Sequence, residues 1–164
     1  MENSPIHEIE LYSRKVFKTL LDHEINKSHR YGDSLTLVDF LFETDPATPE
    51  TLHSAEVFAI DLLNIHLRDV DIPCRQNNEF LILMPSTSTP GARTACERLR
   101  KLMIAEEQTT NGTPFRLTVS AGMATLPLDH AISSDELLQH ASIALQHART
   151  NHFTGVVAYS EIPK

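Results

Sequence analysis

Cysteine is scarce in this chain, and the two thiols, Cys74 and Cys96, make neither a disulfide framework nor a zinc cage in 164 residues. They read as reduced, buried, small apolar side chains. Long apolar runs are missing as well: no stretch of about 18 such residues exists that could span a bilayer, so we expect a soluble protein without membrane insertion. The opening MENSPIHEIE has neither a basic segment nor an apolar stretch after it, which argues against a secretory signal and for a cytoplasmic location. Basic residues are outnumbered, 14 Lys and Arg against 22 Asp and Glu, for a formal charge of −8. Neutralising many phosphates needs clustered Lys and Arg, so a broad nucleic-acid surface is not expected, whereas a small anionic ligand needs only a local arginine cluster.

What is present is globular composition, 41% apolar and 22% charged, at a length that suits one domain over residues 1–164. From Glu8 to about Lys27, Leu11, Val16, Phe17, Leu20, Leu21 and Ile25 recur at helical steps, ahead of a turn at Tyr31-Gly32-Asp33. SLTLVDFLF alternates as a strand, which puts Leu35, Leu37, Asp39 and Leu41 on one face. ETDPATPE reads as a loop, and Leu52, Ala55, Ala59, Leu62, Leu63 and His66 trace a second helix ending near Arg68. RDVDIPCRQNNEFLILMP is a hairpin around Asn77-Asn78, since paired Asn tolerates the positive φ that a two-residue turn demands. A third helix starts at Ser88 or Thr89 and repeats Ala92, Ala95, Cys96, Leu99 and Leu102. EQTTNGTP reads as a turn, FRLTVSAGMATL as a strand, SSDELLQHASIALQHART as a helix capped by Ser133 or Ser134, and TGVVAY as a last strand. Helices alternating with strands around a central hairpin imply an α/β (α+β) sandwich, an about five-stranded mixed sheet covered by helices.

The order of helix, L-x-L-x-D strand, helix, R-x-x-D, hairpin ending in E-F, helix, T-x-S-x-G strand and helix resembles the GGDEF domain of diguanylate cyclases. The likeness covers nearly the whole chain and is closest at Arg68-Asp69-Val70-Asp71, the five residues Ile72 to Gln76, then Asn77-Asn78-Glu79-Phe80 and LILMP. LYSRKVF, CERLR, TVSAGMA and LLQHASIALQHAR…VVAY add to it. The resemblance implies a nucleotide-cyclase-like sandwich. It also implies that active members use two hairpin glycines to approach a triphosphate. The next acidic residue then holds metal with the strand aspartate.

Departures from that pattern shape the functional expectation. Both glycines are Asn here, and the hairpin is one residue short, at what looks like the acidic position. Glycine suits such places by lacking a Cβ, so Asn77 and Asn78 would put side chains where phosphate must lie. That leaves Asp39, Asn77, Asn78 and Glu79 as remnants of an active site. Asp39 alone makes a poor Mg²⁺ site, because such sites combine carboxylates with substrate oxygens. ETDPATPETLHS lacks the base-reading Asn and G-H-x-x-G-D element of active members, and of the phosphate-gripping K-x-x-G-R only the first charge survives, as Arg149 in Arg149-Thr150-Asn151-His152-Phe153. We therefore expect no enzyme activity, no catalytic residues, no metal and no cofactor.

The family's secondary site, R-x-x-D plus an arginine on the next helix, binds the product and bacterial second messenger cyclic di-GMP. Arg68, Asp71 and Arg98 match it, with Arg75 adding local positive charge. A guanidinium can donate to guanine O6 and N7, and an ionised Asp71 would accept from N1 and N2. R-x-x-D alone is cheap, about one chance match for every two chains of this length, and Arg30-Tyr31-Gly32-Asp33 is a second copy. His140 and His147 stand seven apart on a helix, about 10 Å along its axis, too far to share one ion. Ser120 lacks the frame of a nucleophile. The expectation is a catalytically inactive signal-transduction module that binds cyclic di-GMP and reports occupancy to an unknown protein partner. The alternatives are a protein-interaction or dimerisation scaffold, with a homodimer as one form, and a GTP-binding regulatory domain without turnover.

Overall fold

The structure is a computed structural model that describes residues 12–76, 78–150 and 155–163. The element order is α1 (Arg14–Tyr31), β1 (Leu35–Asp45), α2 (Pro49–His66), β2 (Ile72–Gln76), β3 (Glu79–Pro85), α3 (Thr89–Ala105), β4 (Gln108–Thr110), β5 (Thr113–Thr125), α4 (Ser134–Thr150), β6 (Val156–Ala158) and a 3₁₀ turn at Tyr159–Glu161. The sheet runs β2-β3-β1-β5-β4 with antiparallel neighbours, and β6 joins β5 in parallel. Six strands thus stand where about five were expected from the alternation of elements. The addition is β4, because Asn111 and Gly112 both take positive φ and close a hairpin where EQTTNGTP had read as a simple turn.

The period-two pattern of β1 decides how the helices are shared. Val38, Phe40 and Phe42 face one core with α2 and α3. Leu35 and Leu37 face the other with Phe17 and Leu21 of α1 and Leu137 and Ala141 of α4. Each fully buried Phe or Leu removes enough apolar surface from water to contribute roughly 2–3 kcal/mol, so the two cores hold the sheet between paired helices. At Gly122 of β5 the helix α4 lies directly on the strand: a Cβ there would sit 2.1 Å from Leu145 N and 2.4 Å from Ala141 O. The glycine in the T-x-S-x-G strand is therefore a close-approach residue.

Several boundaries differ from the sequence reading. Ser13 caps α1 by accepting from Val16 N–H (3.2 Å), and the helix runs on to Tyr31, where Gly32 ends it at φ +73°. Leu11 and the residues before it lie outside the described part. Val16 is exposed rather than in the stripe. ETD is not loop: Glu43, Thr44 and Asp45 continue β1, because the long β5 offers them Thr118, Leu117 and Arg116 as partners. Thr48 and Thr51 then form a reciprocal cap, with Pro49 in the first turn of α2. On α3 the buried row is Ala92, Cys96, Leu99 and Met103, so Leu102 sits one step off the core face. Both cysteines are free and buried, and burial pushes the Cys96 thiol up to about 12.

Candidate functional site

The R-x-x-D segment follows directly from the end of α2. Leu67 closes the helix in extended conformation, and residues 68–71 fold into a turn in which Asp71 N–H donates to Arg68 C=O (3.0 Å). The same turn lets Asp71 Oδ2 accept from Arg68 N–H (2.9 Å) and Nε–H (3.3 Å), while Oδ1 accepts from Nη2 (2.7 Å). This pairing is a fork on a carboxylate, the strong form of an ion pair. Asp71 holds the guanidinium of Arg68 further into the charged form, mainly through those hydrogen bonds. Arg68 Nη2 also donates to Pro85 C=O (3.0 Å) and Thr87 Oγ1 (2.7 Å), so its Nη1 stays outside these contacts. The Asp71 side chain is only 4% exposed against 50% for Arg68. In this conformation the Asp71 carboxylate is occupied by Arg68 and orients its guanidinium.

Arg98 sits on α3, where the helix period turns it to the face beside this turn. Arg68, Asp71 and Arg98 line one cavity of about 310 Å³ with Ser88, Gly91 and Thr94. Arg98 enters no ion pair or hydrogen bond among the described residues. The cavity thus has one cation fixed by a buried carboxylate and a second left uncommitted. Arg75 is placed elsewhere: it pairs with Glu56 (3.1 Å) and lines a separate hollow with Phe42, His53 and Asn78. The reason is the strand pleat, which sends Arg75 toward the α2 face. The second R-x-x-D copy forms no such clamp, since Arg30 and Asp33 are both exposed and unpaired with each other.

The remnants cluster around the hairpin. Gln76 pairs with Glu79, which leaves a two-residue loop. Asn77 lies outside the described residues. Among the described residues the non-glycine positions at positive φ are Ser86 and Asn111, and Asn78 is not one of them. It is held differently: its Nδ2 donates to Phe42 C=O (3.0 Å), and its C=O accepts from Phe42 N–H (3.2 Å). Asn78 therefore occupies the backbone polar groups of Phe42, beyond the point where the β1–β3 ladder ends.

Asp39 pairs across the sheet with Leu81, and Leu41 with Glu79, so Asp39 and Glu79 are diagonal neighbours on one face. Asp39 is not the isolated carboxylate the sequence suggested. It is 4% exposed, and its Oδ1 has no hydrogen-bond partner. Burial first, then the hydrogen bond and negative charge of Glu79, push its carboxyl up to about 8, with Arg14 opposing. Asp39 would have to give up its proton and gain access to water before it and Glu79 could hold a hydrated divalent cation. No group of three or more His, Cys, Asp or Glu is arranged to hold a metal ion among the described residues. Arg149 is engaged with Glu43 (3.0 Å), and Asn151, His152 and Phe153 lie outside the described part. His140 is stacked on Tyr159 (centroids 3.9 Å apart).

A curled, mostly antiparallel sheet between helix pairs, with a hairpin beside β1, places the protein in the nucleotide-cyclase-like class of α+β folds. Residues 58–154 match the family model described as diguanylate cyclase, GGDEF domain, so the chain belongs to the GGDEF family. Among solved structures it is similar to the GGDEF domain of DgcB from Caulobacter crescentus in complex with c-di-GMP, at TM-score 0.82 and 17% identity over 98% of this chain and 97% of that one. The FimX GGDEF domain from Pseudomonas aeruginosa is similar at TM-score 0.79 and 18% identity, over 94% of this chain and 97% of that one. The active GGEEF domain of a diguanylate cyclase from Vibrio cholerae is similar at TM-score 0.79 and 15% identity, over 92% and 98%. No curated protein matches. No helix among the described residues is long and apolar enough to cross a membrane.

Proposed function

We propose that this GGDEF-family domain binds cyclic di-GMP through Arg68 and Arg98, oriented by Asp71, and does not turn over GTP. The observation that carries the reading is the shared cavity: a clamped arginine and an uncommitted one, brought to one wall from two elements. Two guanidinium groups offset the two phosphates of the ligand, and their planes can stack on guanine or donate to its O6 and N7. The DgcB domain, of the same fold, is in complex with c-di-GMP. Against turnover stand the shortened hairpin, Asn78 tied to Phe42, and a strand aspartate that keeps its proton at neutral pH. Asp39 would have to lose that proton before it could help hold a metal against the developing charge of a transferring phosphoryl group.

Calorimetry of the full chain against cyclic di-GMP tests this reading. Micromolar or tighter binding is expected, lost in Arg68→Ala and retained in Arg30→Ala, with no dinucleotide formed from Mg-GTP. Absence of heat with the native chain, or formation of dinucleotide, overturns it.

A second reading, a protein-interaction surface, is supported by Ile65 (70% exposed) and Val70 (56% exposed) on either side of Arg68. It is kin to the structure of the diguanylate cyclase SiaD with its activator SiaC, which is also similar in fold. Under it, Ile65→Ser abolishes partner binding while Arg68→Ala leaves it intact.

A further inference from the structure

We infer that Thr87 is a positioning residue for the ligand cavity, and that a chain of threonine hydroxyls sets it in place. This deepens the cyclic di-GMP reading and rests on it. Thr87 lies in the short connection between β3 and α3, just after Ser86, whose φ of +51° puts a non-glycine residue in the left-handed region. Such a conformation costs about 1 kcal/mol or more and persists where neighbours over-determine it. Here they do, because every polar group of Thr87 is engaged. Its N–H donates to Ser34 C=O (3.2 Å), its C=O accepts from Thr36 Oγ1 (2.8 Å), and its Oγ1 donates to Pro85 C=O (2.8 Å) while accepting from Arg68 Nη2 (2.7 Å).

The proton of Thr36 goes to Thr87 C=O, so in the Thr36–Thr125 contact (2.8 Å) Thr125 must be the donor. The proton of Thr125 is then spent, so in the Thr89–Thr125 contact (2.6 Å) Thr89 donates. The result is one directed chain, Thr89 to Thr125 to Thr36 to Thr87, and such chains polarise and strengthen one another. It joins the first residue of α3, the end of β5 and the start of β1 to the turn that grips Arg68. Arg68 comes from the end of α2 and Arg98 from α3, so the chain ties the turn that holds Arg68 to the helix that carries Arg98.

The functional consequence is pre-organisation. A half-exposed arginine normally loses much rotamer freedom when a ligand immobilises it. Thr87 removes that cost beforehand by holding Nη2 inward and leaving Nη1 for the ligand. Asp71 alone fixes the guanidinium along one edge; the second Nη2–H, shared between Thr87 Oγ1 (2.7 Å) and Pro85 C=O (3.0 Å), adds the further point that fixes its swing.

The test uses the full chain with Thr87→Val, which keeps the shape and deletes the hydroxyl, and Thr87→Ser, which keeps the hydroxyl. Cyclic di-GMP affinity is measured by calorimetry, and the Arg68 Nε–H signal by NMR, assigned through its loss in Arg68→Ala. Thr87→Val should bind about five- to tenfold more weakly, the cost of immobilising one rotamer-rich side chain. Its Arg68 signal should broaden or exchange faster without ligand, and Thr87→Ser should stay within about twofold of the native chain. Equal or tighter binding by Thr87→Val, or Thr87→Ser behaving like Thr87→Val, overturns the proposal. If the native chain gives no heat the ligand reading fails and takes the affinity claim with it. An Arg68 signal as sharp in Thr87→Val as in the native chain refutes the positioning role by itself.

Discussion

Replacing Asp39 by Asn should make the protein more stable at neutral pH, by an amount that grows as pH rises. The Asp39 carboxyl is buried on a strand face, lies diagonal to Glu79, and has its pKa pushed from 3.8 to about 8. In the folded chain it holds its proton across that window, while in the unfolded chain it has released it. Folding therefore takes up a proton, and the contribution of this group to stability is fullest below pH 4 and is lost as pH rises toward 8. One proton corresponds to about 1.4 kcal/mol per pH unit, so two units from pH 5 to pH 7 cost up to about 2.7 kcal/mol. Sharing of the proton with Glu79 reduces this to about 1–2 kcal/mol. Asn keeps the shape, is neutral at every pH, and can donate to Glu79. Urea unfolding of both proteins at pH 5 and pH 7 should show Asp39→Asn gaining about 1–2 kcal/mol on the native chain between the two conditions. A difference that does not change with pH, or one that turns against the variant as pH rises, would mean that Asp39 is ionised in the fold and that this reasoning is wrong.

Gly122→Ala should destabilise by about 3 kcal/mol or more, because the new Cβ meets α4 backbone at 2.1 Å and the helix must move; a melting temperature within a degree of native would contradict the close packing. Asn78→Ala, which strips a side-chain hydrogen bond from Phe42 C=O, should cost about 1 kcal/mol and leave the protein without cyclase activity, checked by denaturant melts and product assay. Cys74 and Cys96 are wholly buried with thiol pKa values raised by desolvation, so a thiol reagent at pH 8 should label neither in the folded chain and both in denaturant; labelling under native conditions would point to opening of the core.

Much of this architecture was legible in the order of residues. The alternation of SLTLVDFLF, the turn at Gly32, the two-residue hairpin and the Ser133 cap are local signals, each acting over a few residues, and these features fall where those signals put them. The resemblance to the family drew attention to Arg68 and Asp71, and the turn that follows α2 brings them together, which the same spacing at Arg30 and Asp33 does not do. Long-range pairing was not legible. The extension of β1 through Asp45 depends on a strand some seventy residues later that is long enough to receive it, and Glu79 reaches Asp39 only because β3 pairs with β1 in one register. Arg75 looked like part of the cluster by sequence distance, and the pleat turned it toward Glu56 instead. The threonine chain left no trace in the sequence, because its members at 36, 87, 89 and 125 are neighbours only after the sheet has formed. Local backbone preference, then, determined most of the elements. Which side chains share a cavity, which carboxyl keeps its proton and what steadies Arg68 were decided by the sheet register and by the helices packed upon it.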